Sequence, residues 1–133
     1  MAETRARPLS PHLQIYRPML TMLMSIAHRV TGAALYFGTL LVAWWLIAAA
    51  SGPNYYAAVQ WFMGTVVGRL VLFGYTWALI HHMLGGIRHL IWDTGHGFSA
   101  SEREWLSLAT VIGSVLLTLL LWSFGYLVVG GSL

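Results

Sequence analysis

Residues 106–129 read LSLATVIGSVLLTLLLWSFGYLVV, an apolar run without a charged side chain. Two other long apolar stretches precede it, one centred on VTGAALYFGTLLVAWWLIAAA at 30–50 and one at 64–92 that is most apolar at LVLFGYTWALI. Each stretch reaches the roughly 20 residues that a helix needs to cross about 30 Å of hydrocarbon. Because a backbone in lipid must satisfy its own hydrogen bonds, we predict an all-α integral membrane protein with three transmembrane helices.

The three stretches and the segment before them suggest one membrane-anchor domain. The predicted parts are a single domain at 1–133, an N-terminal strap at about 1–20, and transmembrane helices at about 21–50, 64–92 and 105–129. Prolines within RPLSPHLQIYRP disfavour a continuous helix in the strap, which we expect to be ordered and largely extended.

Composition excludes several classes of function. Hydrophobic residues make up 58% of the chain and charged residues 8%, against roughly 25% charged in a typical soluble domain. No basic patch interleaved with aromatic residues is present, so we predict no nucleic-acid binding. The chain has no cysteine, which excludes disulfides, thiolate metal ligands and an iron–sulfur cluster held by this chain.

The arginines predict an orientation. They concentrate in the N-terminal segment and around the connection between the second and third helices, whereas the connection SGPNYYAAVQ carries no charge. By the positive-inside rule the N-terminus faces the cytoplasm and the C-terminus the periplasm of a multi-pass protein in a bacterial inner membrane. Arg69 is the exception, near the outer end of the second helix, where it could reach the interface or a partner's carboxylate. No Arg- and Ser-rich presequence precedes Arg7, which favours bacteria over mitochondria.

The segment HHMLGGIRHLIWD, residues 81–93, puts ionisable side chains into the inner half of an apolar helix. Such groups are costly in a membrane and commonly mark functional sites. Gly85 and Gly86 follow His82 by three and four residues, so they share its helix face and leave a flat space beside the imidazole. A neutral imidazole with room for a planar macrocycle is what axial haem ligation requires.

Two more side chains of this helix suit the acidic groups of such a ligand. His89 and Arg88 could hold a haem propionate or a lipid phosphate. The alternative is that the histidines hydrogen-bond between helices and the glycines only permit close packing. The spacing alone leaves both interpretations open.

A second polar group lies at the start of the first helix, at the same predicted depth. His28 follows Ser25 by three residues and Arg29 follows it by four. One helix face therefore offers a hydroxyl, an imidazole and a guanidinium. Such a set could bind a quinone carbonyl and stabilise negative charge during its reduction. An ordinary helix start with a snorkelling arginine is the alternative.

Two longer patterns resemble the signatures of the cytochrome b membrane-anchor subunit of succinate dehydrogenase (complex II). The first lies within RPLSPHLQIYRPMLTMLMSIAHRVTG and is met by Arg7, Pro8, Leu9, Leu13, Leu20, Ser25, His28, Arg29 and Thr31. The second, His-x-x-x-Gly-aliphatic-Arg-His-aliphatic-x-aromatic-Asp-x-Gly, is met by His82, Gly86, Ile87, Arg88, His89, Leu90, Trp92, Asp93 and Gly95. The resemblance covers residues 7 to about 95 by motif and the third span by topology.

The resemblance implies a haem b whose axial iron ligand from this chain is His82. A second small membrane-anchor subunit would supply the other ligand and bundle with these helices. Ser25 and Arg29 would belong to a ubiquinone site. The side chains implied near the haem propionates are His28, Arg29, His89 and Arg88.

The resemblance also implies that iron–sulfur and flavoprotein subunits dock on the cytoplasmic side. Electrons from succinate would pass through the iron–sulfur subunit to quinone, and this chain would bind quinone, position haem and anchor the complex in lipid. An anchor without haem is one alternative. A small proton-relay transporter or channel subunit using His81, His82 and Asp93 is another, although the chain lacks the internal repeats typical of transporters.

Overall fold

The computed structural model describes residues 9–130 of the chain. Arg7 and Pro8 of the first signature, and the strap before residue 9, lie outside the described residues. Within them the chain forms five α-helices: α1 at His12–Ile15, α2 at Leu20–Ser51, α3 at Pro53–Gly64, α4 at Val66–Asp93 and α5 at Ala100–Val129.

The described part of the strap is mostly non-helical. Its one helical turn, α1, is closed by bonds from the amides of Gln14 and Ile15 to the carbonyl of Pro11, at 2.9 and 3.1 Å. The chain is extended again at Met19, the residue before α2. This arrangement is consistent with the way prolines limit helix propagation.

The connection SGPNYYAAVQ between the first two spans is largely helical. Gly52 stops α2 with φ 115°, a conformation that glycine adopts readily, and Pro53 then opens α3 at the position where a missing amide costs nothing. Val59 and Met63 of α3 are buried against Ala48 of α2, so α3 folds back onto the bundle.

α4 begins in a tight turn after α3. The Thr65 hydroxyl accepts a bond from the amide of Gly68 at 3.1 Å, which caps the helix. A side chain at Gly68 would collide with the carbonyl of Phe62 and the backbone of Met63. The close approach of α3 to α4 therefore depends on a glycine at this position.

α5 begins at Ala100, before the predicted start at about 105. Ser99 accepts a bond from the Glu102 amide at 3.3 Å, and the Glu102 carboxylate accepts one from the Ser99 amide at 3.1 Å. This capping box satisfies free amides and starts the helix ahead of its apolar part.

α4 is the central helix, packed against α2, α3 and α5. The helices α2, α4 and α5 are long and apolar enough to cross a membrane. In the most apolar 18-residue segment of each, only 11–17% of the residues are buried. Their remaining surface carries large hydrophobic side chains such as Phe37, Leu70 and Leu120. An all-α membrane fold with three candidate spans is thus confirmed, and most of its apolar surface is available to lipid or to other chains.

In an up-and-down arrangement, one end of the bundle carries the α4–α5 connection, residues 94–99, and the other carries α3. We call these the loop end and the α3 end. His28, at the start of α2, and His82, in the second half of α4, lie toward the loop end.

Candidate haem and quinone site

The imidazoles of His28 and His82 form a face-to-face pair between α2 and α4. Their ring centroids are 3.9 Å apart and their planes differ by 6°. The Nδ1 atom of His82 lies 3.1 Å from the backbone carbonyl oxygen of His28 and 3.4 Å from the hydroxyl of Thr31. The pair therefore joins the two helices through both a ring contact and a backbone hydrogen bond.

The hydrogen bonds assign the tautomer of His82. A carbonyl oxygen can only accept, so Nδ1 carries the proton and donates to the carbonyl of His28. The Thr31 hydroxyl donates to backbone carbonyls of its own helix, at 2.8 Å to Ala27 and 3.0 Å to His28. With Nδ1 protonated, the lone pair of a neutral His82 is on Nε2, as is usual for a histidine that binds a metal.

Two glycines make room for the histidine pair. A Cβ atom at Gly85 would lie 2.5 Å from Nδ1 of His28, and one at Gly32 would lie 3.0 Å from Cε1 of His82. The prediction that Gly85 leaves space for a macrocycle is therefore wrong, because the His28 ring occupies that space. At Gly86, in contrast, an added Cβ meets nothing within 4 Å, so the surface beside His82 is open there.

His89 continues the same side of the site. It is exposed, its ring centroid lies 5.4 Å from that of His28, and it makes an edge contact of 5.1 Å with Trp92. The structure thus brings together three of the predicted histidines at the loop end of the α2–α4 interface.

Ser25 and Arg29 lie on α2, three residues before and one residue after His28, and both are exposed. Their i, i+4 spacing puts them on a common face of the helix. A hydroxyl and a permanently charged guanidinium are thus available together to a group from outside the described chain.

Arg88 lies on a different side of α4, away from His82. Its side chain is only 4% exposed, donates to the hydroxyl of Ser107 on α5 at 3.3 Å, and lies 5.2 Å over the ring of Trp92. His81 is buried on the same side and shares a hydrogen bond of 3.1 Å with Ser114. Arg88 therefore lies toward α5 and is separated from His82, although it shares the ring of Trp92 with His89, and its implied role near a propionate stays a prediction.

The donor set around His82 fits one half of a haem site. Within residues 9–130 His82 makes its hydrogen bonds through Nδ1 alone, and the surface at Gly86 is free. The described residues contain no group of three or more His, Asp or Glu side chains able to hold a bare metal ion. A haem iron needs only one axial nitrogen from each side, so a second chain can complete the site.

Comparison with known protein families identifies the family of this chain. Residues 3–122 match the family described as the succinate dehydrogenase/fumarate reductase transmembrane subunit. The chain belongs to this family. The match covers both signatures and most of α5. It therefore includes most of the third span, which neither signature covers.

Individual members of the succinate dehydrogenase family align over nearly the same length. The chain is 44% identical over 114 residues to the succinate dehydrogenase cytochrome b556 subunit of Paracoccus denitrificans, covering 86% of this chain and 88% of that one. It is 42% identical over 116 residues to the subunit of the same name from Rickettsia prowazekii, covering 87% and 90%. The mitochondrial cytochrome b560 subunit of Sus scrofa is 38% identical over 114 residues, covering 83% of this chain and 66% of its own.

Several contributors to this family member's site were not identified from the sequence. The backbone carbonyl of His28 and the close approach at Gly32 depend on how α2 is aligned along α4. The available signal was the Thr31–Gly32 pair, which begins two residues after Arg29, since glycine at an apolar helix interface indicates close packing.

Proposed function

We propose that this chain is the membrane-anchor subunit of a succinate:quinone oxidoreductase, with His82 as an axial ligand of haem b through Nε2. Ser25 and Arg29 contribute to the site where ubiquinone is reduced. A second small anchor subunit supplies the other axial ligand. The iron–sulfur and flavoprotein subunits dock at the loop end, which places the N-terminus in the cytoplasm and the C-terminus in the periplasm of a bacterial inner membrane.

One observation carries the haem assignment. The bond from Nδ1 of His82 to the carbonyl of His28 fixes the tautomer and holds the ring against rotation. Such partners orient metal-binding histidines and make them more basic. The stacked ring of His28 and the close wall at Gly32 hold the same orientation from two sides.

Haem, when bound, supplies a one-electron carrier within the membrane. The chain's own residues orient the imidazole of His82 through α2. His28 stacks on His82, and the ring of His89 lies 5.4 Å from that of His28, so both side chains are candidates to hold the propionates.

Quinone reduction to quinol takes two electrons and two protons. The Ser25 hydroxyl and Arg29 guanidinium can donate to a quinone carbonyl oxygen, and the fixed positive charge of Arg29 stabilises negative charge that develops there. Both side chains are exposed on α2, so a quinone can reach them from the membrane or from an interface with another subunit.

His82→Ala tests the haem assignment. We expect the assembled complex purified from this variant to lose most of its b-type absorption in a dithionite-reduced-minus-oxidised spectrum. The matched control is His81→Gln, which changes the adjacent histidine on the α5 side and should keep the spectrum. A normal spectrum in the His82 variant would reject His82 as the ligand.

Arg29→Ala tests the quinone site. We expect succinate:quinone reductase activity to fall at least about tenfold, because one charge-assisted hydrogen bond is worth about 1.5–3 kcal/mol. Electron transfer from succinate to a soluble acceptor at the flavoprotein should be kept. Arg103→Ala, which removes an exposed arginine from the start of α5, is the control. Unchanged quinone turnover in the Arg29 variant would remove this residue from the site.

A further inference from the structure

A large cavity lies at the α3 end of the bundle, away from the histidine pair. Its volume is about 730 Å³, and α2, α3, α4 and α5 all contribute to its wall. Most of the wall is apolar, with Leu41, Leu72 and Leu121 among its residues, and Arg69 is the charged side chain in it. The cavity is in the size range of sites that bind small molecules, which is about 300–1,000 Å³.

Arg69 lacks a negative partner within residues 9–130. Its Nη1 donates to the hydroxyl of Tyr126 at 3.4 Å, while its Nε is buried without a hydrogen-bond partner. The carboxylates in this part of the chain are Asp93, Glu102 and Glu104, all at the loop end. A guanidinium with a buried, unpaired N–H requires an acceptor, and its charge requires a counter-charge.

The position of Arg69 in α4 indicates what kind of anion can reach it. It is the fourth residue of the helix, about 5 Å from the helix start at 1.5 Å per residue. In a helix that spans the hydrocarbon core, that is the level of lipid headgroups and glycerol esters. Guanidinium groups bind phosphate strongly and with defined geometry.

We propose that this cavity binds an anionic phospholipid, with its phosphate at Arg69 and Tyr126 and an acyl chain against the apolar wall. A carboxylate from another subunit would neutralise Arg69 but would leave most of this apolar volume unfilled. A phospholipid offers a phosphate to Arg69 and an acyl chain to the apolar wall, and it is present at this depth in the membrane. This inference is independent of the haem and quinone assignments.

Two glycines provide a way to fill the cavity without changing its charge. Gly64 and Gly125 both line it, and a Cβ added at either meets nothing within 4 Å. Gly125→Leu therefore adds an apolar side chain where the acyl chain would lie and leaves Arg69 intact. Gly74→Leu is the matched control, because Gly74 is exposed on α4, has the same free space and is outside the cavity wall.

The test uses the whole complex, delipidated and placed in nanodiscs of phosphatidylcholine with a minority of phosphatidylglycerol. The phospholipid that stays with the complex after a second detergent wash is identified by mass spectrometry. We expect phosphatidylglycerol to be enriched over its bulk share in the unmodified complex. Arg69→Gln and Gly125→Leu should each lower its retention about tenfold, while Arg69→Lys keeps part of it. Gly74→Leu and Arg103→Gln should match the unmodified complex.

Other outcomes would overturn the proposal. Enrichment of neutral lipid or quinone in the unmodified complex would reject an anionic occupant, and this measurement needs no variant to assemble. Equal retention in Arg69→Gln would reject the phosphate contact, and loss in that variant alone would reject the acyl-chain position. Release of another membrane subunit by Arg69→Gln with lipid retention unchanged would identify a partner's carboxylate instead.

Discussion

His81 and His82 are adjacent in α4 but belong to two different interfaces. His82 faces α2, where its Nδ1 bonds to a backbone carbonyl and its ring stacks on His28. His81 faces α5, where it is 2% exposed and its Nδ1 bonds to the hydroxyl of Ser114. Successive residues of a helix point about 100° apart, so one residue of register decides which of two neighbouring helices an imidazole meets.

The two interfaces differ in what surrounds the histidine. On the α2 side, Gly32 and Gly85 let two rings and two backbones approach closely, and the surface at Gly86 is open. On the α5 side a row of small hydroxyl residues is buried; its members are Ser107, Thr110, Ser114 and Thr118. The first interface holds the His82 ring beside an open surface, although Nδ1 of His28 is buried there without a hydrogen-bond partner within residues 9–130. The second interface encloses its polar groups.

The enclosed interface carries unpaired polar atoms of its own. The Nε2 of His81 and the Nε of Arg88 are buried without a hydrogen-bond partner within residues 9–130. Arg88 has a neutral hydroxyl and an aromatic ring as its contacts rather than a carboxylate. His81 and Arg88 therefore depend on the few hydrogen bonds that α5 offers them, through Ser114 and Ser107. Loss of either bond is costly because the polar group stays buried, and this favours one way of packing α4 against α5.

Among single changes that distinguish the two interfaces, Gly85→Ala should have the largest effect on haem content and thermal stability. The added methyl group would lie 2.5 Å from Nδ1 of His28, so the ring must move away from His82 or the helices must separate. Overpacking of this kind costs about 1–3 kcal/mol. We expect haem content, measured spectroscopically, to fall several-fold and the thermal unfolding midpoint of the complex to fall with it.

The control for this change is Gly74→Ala in the same helix. Gly74 is exposed and an added Cβ meets nothing there, so haem content and thermal stability should be unchanged or slightly improved. If both alanine variants keep a normal haem spectrum, the contact between His28 and Gly85 does not support the axial ligand.

Hydropathy was sufficient to predict the three long helices, because each must present apolar side chains over the full width of the membrane. It could not show α3, a short helix between Pro53 and Gly64 whose existence depends on packing of Val59 and Met63 against α2. The earlier start of α5 did have a local signal, the Ser-x-x-Glu spacing of Ser99 and Glu102.

The site was predictable as far as spacing within one helix determines it. Spacing put Gly85 on the face of His82, and the structure agrees, but the ring that fills this place comes from α2. The same limit applies to Arg88, which is close to His89 in sequence but lies toward α5. Contacts between helices depend on their relative rotation and sliding, and motif spacing within a single helix contains no information about either.

Ser114→Ala should produce a smaller effect, confined to the α5 side. The Ser114 hydroxyl donates to the carbonyl of Val111 at 2.9 Å, so its oxygen accepts from Nδ1 of His81, and the alanine variant leaves that buried N–H unsatisfied. The expected cost is about 1–3 kcal/mol, seen as a lower thermal unfolding midpoint with an unchanged haem spectrum. The double variant His81→Leu/Ser114→Ala should recover part of this loss, because it removes the unpaired donor as well. Strictly additive losses in the double variant would show that the bond between His81 and Ser114 does not account for the loss. A haem spectrum that changes in the Ser114 variant would show that the two faces of α4 are not independent.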